Sequence, residues 1–240
     1  MIIKHLKVSL SVLAFFCSFS HALAQPYLPK LKLDILWVVD DSGSMADHQD
    51  LLGRNFDAFI EEFLAKDVDF RMAVTTTDDE EYYAGRMVGD WRKLTSEAAL
   101  KDEAKFLDDF WNTVMVGTIG SVTEKGLASA KLFLEKYRSE WLRDDAYLVI
   151  MVLTDEEEQS AQSADFYYRY FTGLKLHPNF FQLNSITAFH DSDNWYSDQS
   201  RGQKYMDVAE LSGGAALNIE EDYWHNLTQA KESVMKLISE

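Results

Sequence analysis

An α/β fold, doubly wound around a mostly parallel central sheet with helices on both faces, is predicted by three features of the sequence. Continuous apolar runs at residues 35–39 and 147–153 lack the polar alternation of a half-exposed strand, so they read as strands buried on both faces. Segments with apolar residues at helical spacing lie between such runs. The most polar clusters follow directly after the runs, at the carboxyl ends of the strands. In such a sheet the ligand crevice opens there, at a switch in strand order.

The elements follow in chain order. Residues 35–39 form the first strand, after which Leu52, Phe56, Phe59, Ile60 and Phe63 recur at helical spacing. Residues 70–75 and 147–153 are the second and third strands. Between them a helix places Leu127, Ala130, Leu134 and Tyr137 on one face. Further strands are expected at 181–189 and 215–219, and a last amphipathic helix carries Leu227, Val234 and Leu237. With no repeats, no low-complexity linker and only three prolines, residues 32–240 read as one domain, preceded by a short lead at 25–31.

Residues 1–24 are set apart from it. Lys4 and Lys7, an apolar run over 8–16 and the closing Ala22-Leu23-Ala24 have the layout of a secretory signal peptide cleaved before Gln25. The run is too short to span a bilayer, and no later segment approaches the ~20 apolar residues a span requires. Cys17 follows bulky Phe15-Phe16, where a lipid-attachment motif wants small residues. The expected product is therefore exported, to a periplasm or outside the cell, with no membrane insertion. It carries no cysteine, so its stability must come from a packed core, which a composition 47% apolar and 13% aromatic can supply. Losing Lys4 and Lys7 takes the net charge from −17 to −19. Such a surface repels nucleic acid and anionic membranes and favours cations or basic partners.

Three polar clusters sit at strand ends. Asp40-Asp41-Ser42-Gly43-Ser44 follows the first strand, and Thr154-Asp155 follows the third. The third cluster, residues 116–127 (VGTIGSVTEKGL), opens the central helix with hydroxyls at Thr118, Ser121 and Thr123. Taken singly, Ser and Asp after a strand are ordinary helix caps. Converging on one crevice, carboxylates and hydroxyls without His or Cys are hard-ligand chemistry, suited to Mg²⁺, Mn²⁺ or Ca²⁺ rather than Zn²⁺.

The string ILWVVDDSGSM, residues 35–45, resembles the opening of a von Willebrand factor type A domain, with Asp40, Ser42 and Ser44 on its D-x-S-x-S motif. VIMVLTDEEE, residues 149–158, resembles the later part of the same pattern, and the likeness covers roughly 32–240. The resemblance implies a Rossmann-like three-layer sandwich with a metal-ion-dependent adhesion site. In that family one divalent cation, Mg²⁺ or else Mn²⁺ or Ca²⁺, is held by oxygens from three loops. A carboxylate of a protein or peptide ligand fills its open position. By resemblance Asp40, Ser42 and Ser44 supply the first loop and Asp155 the third. The second loop departs from the family's G-G-T-x-T pattern: local similarity places Thr118 as its ligand, whereas counting back from the helix and from Asp155 places Ser121, with Thr123 as second hydroxyl. Both Thr118 and Ser121 stay in the expected set. A monomeric binding domain without catalytic residues is the function implied.

Other signals weigh less. Residues 191–198 (DSDNWYSD) carry Trp195 and Tyr196 where an EF-hand loop needs Asp or Asn and then Gly. The acidic runs 78–81 and 156–158 read as solvated faces near the crevice. Asn226-Leu227-Thr228 is a glycosylation sequon inside a helical pattern. His48, His177, His190 and His225 show neither metal-ligand nor triad spacing. An aspartic protease would use Asp41-Ser42-Gly43-Ser44, but in an all-β fold with a second such loop or a homodimer. A haloacid dehalogenase-type phosphotransferase wants a second acid where Ser42 stands. The remaining alternative is a metal-dependent hydrolase acting on a phosphate substrate with the same carboxylates.

Overall fold

The computed structural model describes residues 30–191 and 200–239. The expected signal peptide, most of the short lead and the acidic loop beyond Asp191 lie outside the described residues. Five strands, β1 (Lys32–Val39), β2 (Asp69–Thr76), β3 (Tyr147–Thr154), β4 (Phe181–Thr187) and β5 (Ala216–Asn218), pair in the order β2-β1-β3-β4-β5. Every pair is parallel. The chain leaves β1 for β2 on one side and returns to β3 on the other, so the strand order reverses between β1 and β3. That is the switch point at which a crevice opens.

The described helices are α1 (Ala46–Arg54), α2 (Asp57–Ala65), α3 (Ser96–Lys101), α4 (Glu103–Val114), α5 (Gly126–Tyr137), α6 (Ala164–Thr172), α7 (Gln203–Ser212) and α8 (Tyr223–Leu237). In β1, Leu33, Ile35, Trp37 and Val39 face the core formed with α1, α2, α4 and α8. Leu36 and Val38 face the core formed with α5, α6 and α7. Two covered faces explain why the strand reads as an unbroken apolar run. Trp37 anchors the first core, its ring 6.0, 5.4 and 5.5 Å from those of Phe56, Phe59 and Phe110. Each such buried aromatic stabilises the fold by roughly 1.5–3 kcal/mol.

The apolar stripe from Leu52 to Phe63 is divided between two helices. Asn55 ends α1, and its Nδ2 donates 2.8 Å back to the Leu51 carbonyl. A short amide that bonds the preceding turn in this way competes with the helical ladder. In α1, Gly53 permits a close approach to α4: a Cβ there would lie 2.1 Å from Trp111 Cδ1. Helices α3 and α4 occupy a segment in which apolar spacing singled out no element. Side-chain caps mark their starts, Thr95 accepting from Ala98 N at 3.2 Å and Asp102 from Lys105 N at 3.0 Å. The sequon is not a surface feature: Asn226 is wholly buried in α8, and its Nδ2 donates to Asn218 O.

At the amino end of the sheet, far from the switch-point crevice, Asp34 is wholly buried on β1. It accepts from both the backbone N and the Nε of Arg143 at 2.7 Å. The Arg143 guanidinium also donates to Leu33 O and Asp69 O. One arginine therefore ties β1, β2 and the turn before β3 together.

Candidate metal centre

The first loop is built by the carboxylate that ends β1. Asp40 N continues the strand pairing by donating 2.9 Å to Leu153 O. Its buried side chain then turns the chain, with Oδ1 accepting from Ser42 N at 2.7 Å. This is the short-range bond that makes Asp a turn former. Its other oxygen, Oδ2, accepts from Thr154 Oγ1 at 2.5 Å, across to the end of β3. The turn brings Ser42 Oγ to within 3.2 Å of Ser44 Oγ, and Ser44 Oγ donates 3.1 Å to Asp155 Oδ1. Asp40, Ser42, Ser44 and Asp155 thus form one connected cluster at the switch point.

A residue the motif reading missed clamps the second loop to the first. Gln49, wholly buried on α1, donates from Nε2 to Asp40 O at 2.9 Å and to Gly117 O at 2.7 Å. Its Oε1 accepts from Gly117 N. Further along, Gly120 N donates 2.9 Å to Asp41 O, and a Cβ on Gly120 would lie 2.4 Å from Asp41 Oδ1. Only glycine fits that contact. Thr118 sits between these two ties, half-buried, and its hydroxyl makes no hydrogen bond among the described residues. Ser121 Oγ donates 2.8 Å to Asp79 Oδ1 and accepts from Thr123 N at 3.1 Å. Lys125 holds the other Asp79 oxygen at 2.6 Å. A cleft of about 430 Å³ opens above, lined by Ser42 and Gly43, by Gly120 and Ser121, and by Glu156 and Gln159.

Beside Asp40 is a carboxylate that the motifs did not single out. Glu124 stands two residues before α5 and is wholly buried, and neither of its oxygens accepts a hydrogen bond. Carboxylate oxygens of Asp40, Asp41 and Glu124 lie within 4.8 Å of one another. Burial, and then the Asp40 charge, push the Glu124 carboxyl well above the usual carboxylate range, with the nearby Thr77 hydroxyl, itself outside hydrogen-bonding geometry, only partly offsetting them. Burial also raises Asp40. Asp41 is pushed up to about 7 by burial, then by the charges of Asp78 and Asp40.

Three crowded acids whose carboxyls are all raised above the usual carboxylate range, with the buried Asp41 Oδ1 also lacking a hydrogen bond, make a donor set that a divalent cation would satisfy. Two oxygens about 4.8 Å apart can flank one cation at the ~2.4 Å distance that carboxylates take. The residues present fit a hard cation.

The acidic run after β3 is not the solvated face that its charge implied. Glu158 is buried and accepts from Leu127 N at 2.6 Å, at the amino end of α5. Glu157 accepts from Lys204 N at 3.0 Å, at the amino end of α7. Each carboxylate meets unpaired N–H groups and the positive end of a helix dipole. In the other acidic run, Asp78 is likewise buried, and its Oδ1 accepts from Glu80 N. His48 bonds Tyr223 Oη at 2.9 Å through Nδ1, a structural contact.

No protein-family model matches the chain, and no characterised protein matches it in sequence. Solved structures do match in three dimensions. Proximal thread matrix protein 1 from the mussel byssus superposes with a TM-score of 0.53 at 13% identity, over 87% of this chain and 48% of that one. This chain thus spans about half the length of the mussel protein. A conserved hypothetical protein, BatB from Bacteroides thetaiotaomicron, superposes with a TM-score of 0.50 at 12% identity, over 88% of this chain and 100% of that one. Among the described residues no helix is long and apolar enough to cross a membrane. With an all-parallel five-stranded sheet, helices on both faces and an acidic loop at the switch point, the chain has the fold of a von Willebrand factor type A domain.

Proposed function

We propose that this chain is an exported, monomeric interaction domain that binds a protein or peptide ligand through a divalent cation, Mg²⁺ or else Mn²⁺ or Ca²⁺. Asp40, Ser42, Ser44 and Asp155 would hold the ion, with Thr118 or Ser121 contributing from the second loop. The bound cation would supply an open position that a ligand carboxylate fills. The carrying observation is the connected cluster Asp40–Ser42–Ser44–Asp155, oxygen donors only, whose Ser42 lines an open cleft. Ile119 and Val122, 98% and 92% exposed beside that cleft, give a ligand apolar surface to cover.

The surrounding negative charge would steer acidic ligands away unless the metal captures them, which favours discrimination over raw affinity. Titration of the purified chain with Mn²⁺ should show a site that Asp40→Ala removes. Capture of a partner from the native extract should occur with Mg²⁺ and fail with EDTA or with Asp40→Ala. Capture unchanged by EDTA would falsify the reading. The inner acids Asp40, Asp41 and Glu124 favour one alternative, a metal-dependent hydrolase of phosphate substrates. Turnover of a phosphoester that is lost in Asp40→Ala would select it.

A further inference from the structure

Glu124 is held in place by its backbone on both sides. Residue 124 bridges Asp78 in antiparallel fashion, Lys125 N donates 2.9 Å to Thr77 O, and Gln159 N donates 2.8 Å to Glu124 O. Its side chain is wholly buried, and its carboxylate lies within 4.8 Å of carboxylate oxygens of Asp40 and Asp41. Burial of a carboxylate beside two others, with no hydrogen bond to either oxygen, is among the costliest arrangements a core can hold. Lys125, the adjacent cation, is engaged with Asp79 instead. The hydroxyls of the same loop offer less: Ser121 is committed to Asp79 and Thr123 N, and Thr118 touches no group of the cluster through a hydrogen bond.

We infer that Glu124 is the second loop's ligand to the cation, a carboxylate in the role that the loop's hydroxyls would otherwise fill. The inference rests on the metal-binding reading above and sharpens it. Asp41 Oδ1, buried without a hydrogen bond and packed against Gly120, faces the same ion from the first loop. A cation surrounded by that many carboxylates is held strongly before any partner arrives, because affinity rises with the number of charged ligands. It also presents less positive charge to an incoming carboxylate. The domain is therefore metal-loaded at rest, and its partner must add contacts beyond the metal.

The test is Mn²⁺ titration calorimetry and thermal melting of the purified chain with and without Mn²⁺, the ion alone serving as probe. Glu124→Gln keeps the shape and removes the charge. It should lower Mn²⁺ affinity by at least about tenfold, in line with losses on disturbing metal-site residues, and erase most of the Mn²⁺-induced rise in Tm. Thr118→Val and Ser121→Ala should each stay within about threefold of wild type. If Thr118→Val or Ser121→Ala lowers Mn²⁺ affinity as much as or more than Glu124→Gln does, a hydroxyl is the second loop's ligand and the inference is overturned. Without metal, Glu124→Gln should melt no lower than wild type, since it removes the cost of burying an ionisable carboxyl among two others. Should Glu124→Gln not fold, Glu124→Asp carries the test, because it keeps the charge but withdraws it by one methylene: a lowered Mn²⁺ affinity supports the inference and an unchanged one overturns it. If Glu124→Gln binds Mn²⁺ like wild type while Asp40→Asn does not bind it, the role of Glu124 is overturned and the metal site stands. A wild-type chain that takes up no Mn²⁺ overturns both.

Discussion

Thr154 Oγ1 donates a 2.5 Å hydrogen bond to Asp40 Oδ2, joining the last residue of β3 to the first residue after β1. Thr154 Oγ1 also accepts from Glu156 N at 3.0 Å, which orients the hydroxyl, and an ionised Asp40 carboxylate can only accept from it. Asp40 is thereby held on both oxygens, by Ser42 N and by Thr154, before any ligand is present. The strand pairing itself, Val39 opposite Leu153, brings the two residues together.

Replacing that hydroxyl with a methyl is the most direct check on this support. Thr154→Val leaves Asp40 Oδ2 buried without its donor, which should cost about 1–3 kcal/mol of stability in urea denaturation. The carboxylate is no longer held in one orientation, so Mn²⁺ affinity should fall by about 10- to 100-fold, as for other outer supports of metal ligands. Unchanged stability and affinity together would show that the bond does not position Asp40.

Gln49 predicts a different pattern of damage. Its amide bridges Asp40 O and Gly117 and supplies the polar link between α1 and the second loop. Gln49→Leu fills the same volume but strands two carbonyls and one N–H, a loss of about 1–3 kcal/mol. Hydrogen exchange should speed up at residues 116–120 while the amides of β1 and β3 stay protected. Uniform loss of protection across the sheet would show that the clamp acts on the whole fold rather than on the loop.

Arg143 supplies the contrasting control at the far end of β1. Arg143→Met takes one guanidinium from wholly buried Asp34, which keeps Arg71 at 3.7 Å and the Arg143 backbone N–H, and should destabilise the protein by about 1.5–3 kcal/mol, the range for a lost hydrogen bond to a charged group. Mn²⁺ affinity measured well below the melting transition should not change, because five strand residues, 35–39, separate Asp34 from Asp40. A parallel loss of affinity would mean that sheet strain reaches the site.

What could be read in advance divides along the same physical line. The strands were legible because both faces of the sheet are covered, so residues 35–39 and 147–153 are apolar without interruption. Asp40, Ser42, Ser44 and Asp155 stood out because they lie next to strand ends, and strand pairing alone brings those ends together. Glu124 and Gln49 carried no such mark. Glu124 is one acid in a polar loop, buried only because Asp78 and Gln159 close over it in the folded chain. Gln49 is an ordinary helix residue until α1 docks against Gly117. The break between α1 and α2 was hidden for a related reason: Asn55 interrupts the ladder without disturbing the spacing of Leu52, Phe56 and Phe59.

His48 makes a pH prediction whose sign follows from its burial. On α1 it bonds the Tyr223 hydroxyl, and burial lowers its pKa below the ordinary 6.5, with the charges of Asp155, Asp47 and Glu220 only partly opposing. Burial also keeps the Tyr223 hydroxyl protonated. The folded state therefore takes up the imidazole proton at lower pH than the unfolded chain does. Stability owed to neutral His48 is fully present above the unfolded value near 6.5 and is lost as pH falls below it through the folded pKa. Asp41, raised to about 7, works the other way in the metal-free protein, so the wild-type slope alone does not isolate the histidine. The difference between wild type and His48→Gln does. Urea denaturation of both metal-free proteins at pH 7.5, 6.5 and 5.5 should show wild type losing ground to the variant as pH drops. A difference that stays flat across that range would mean that His48 titrates alike in the folded and unfolded chains.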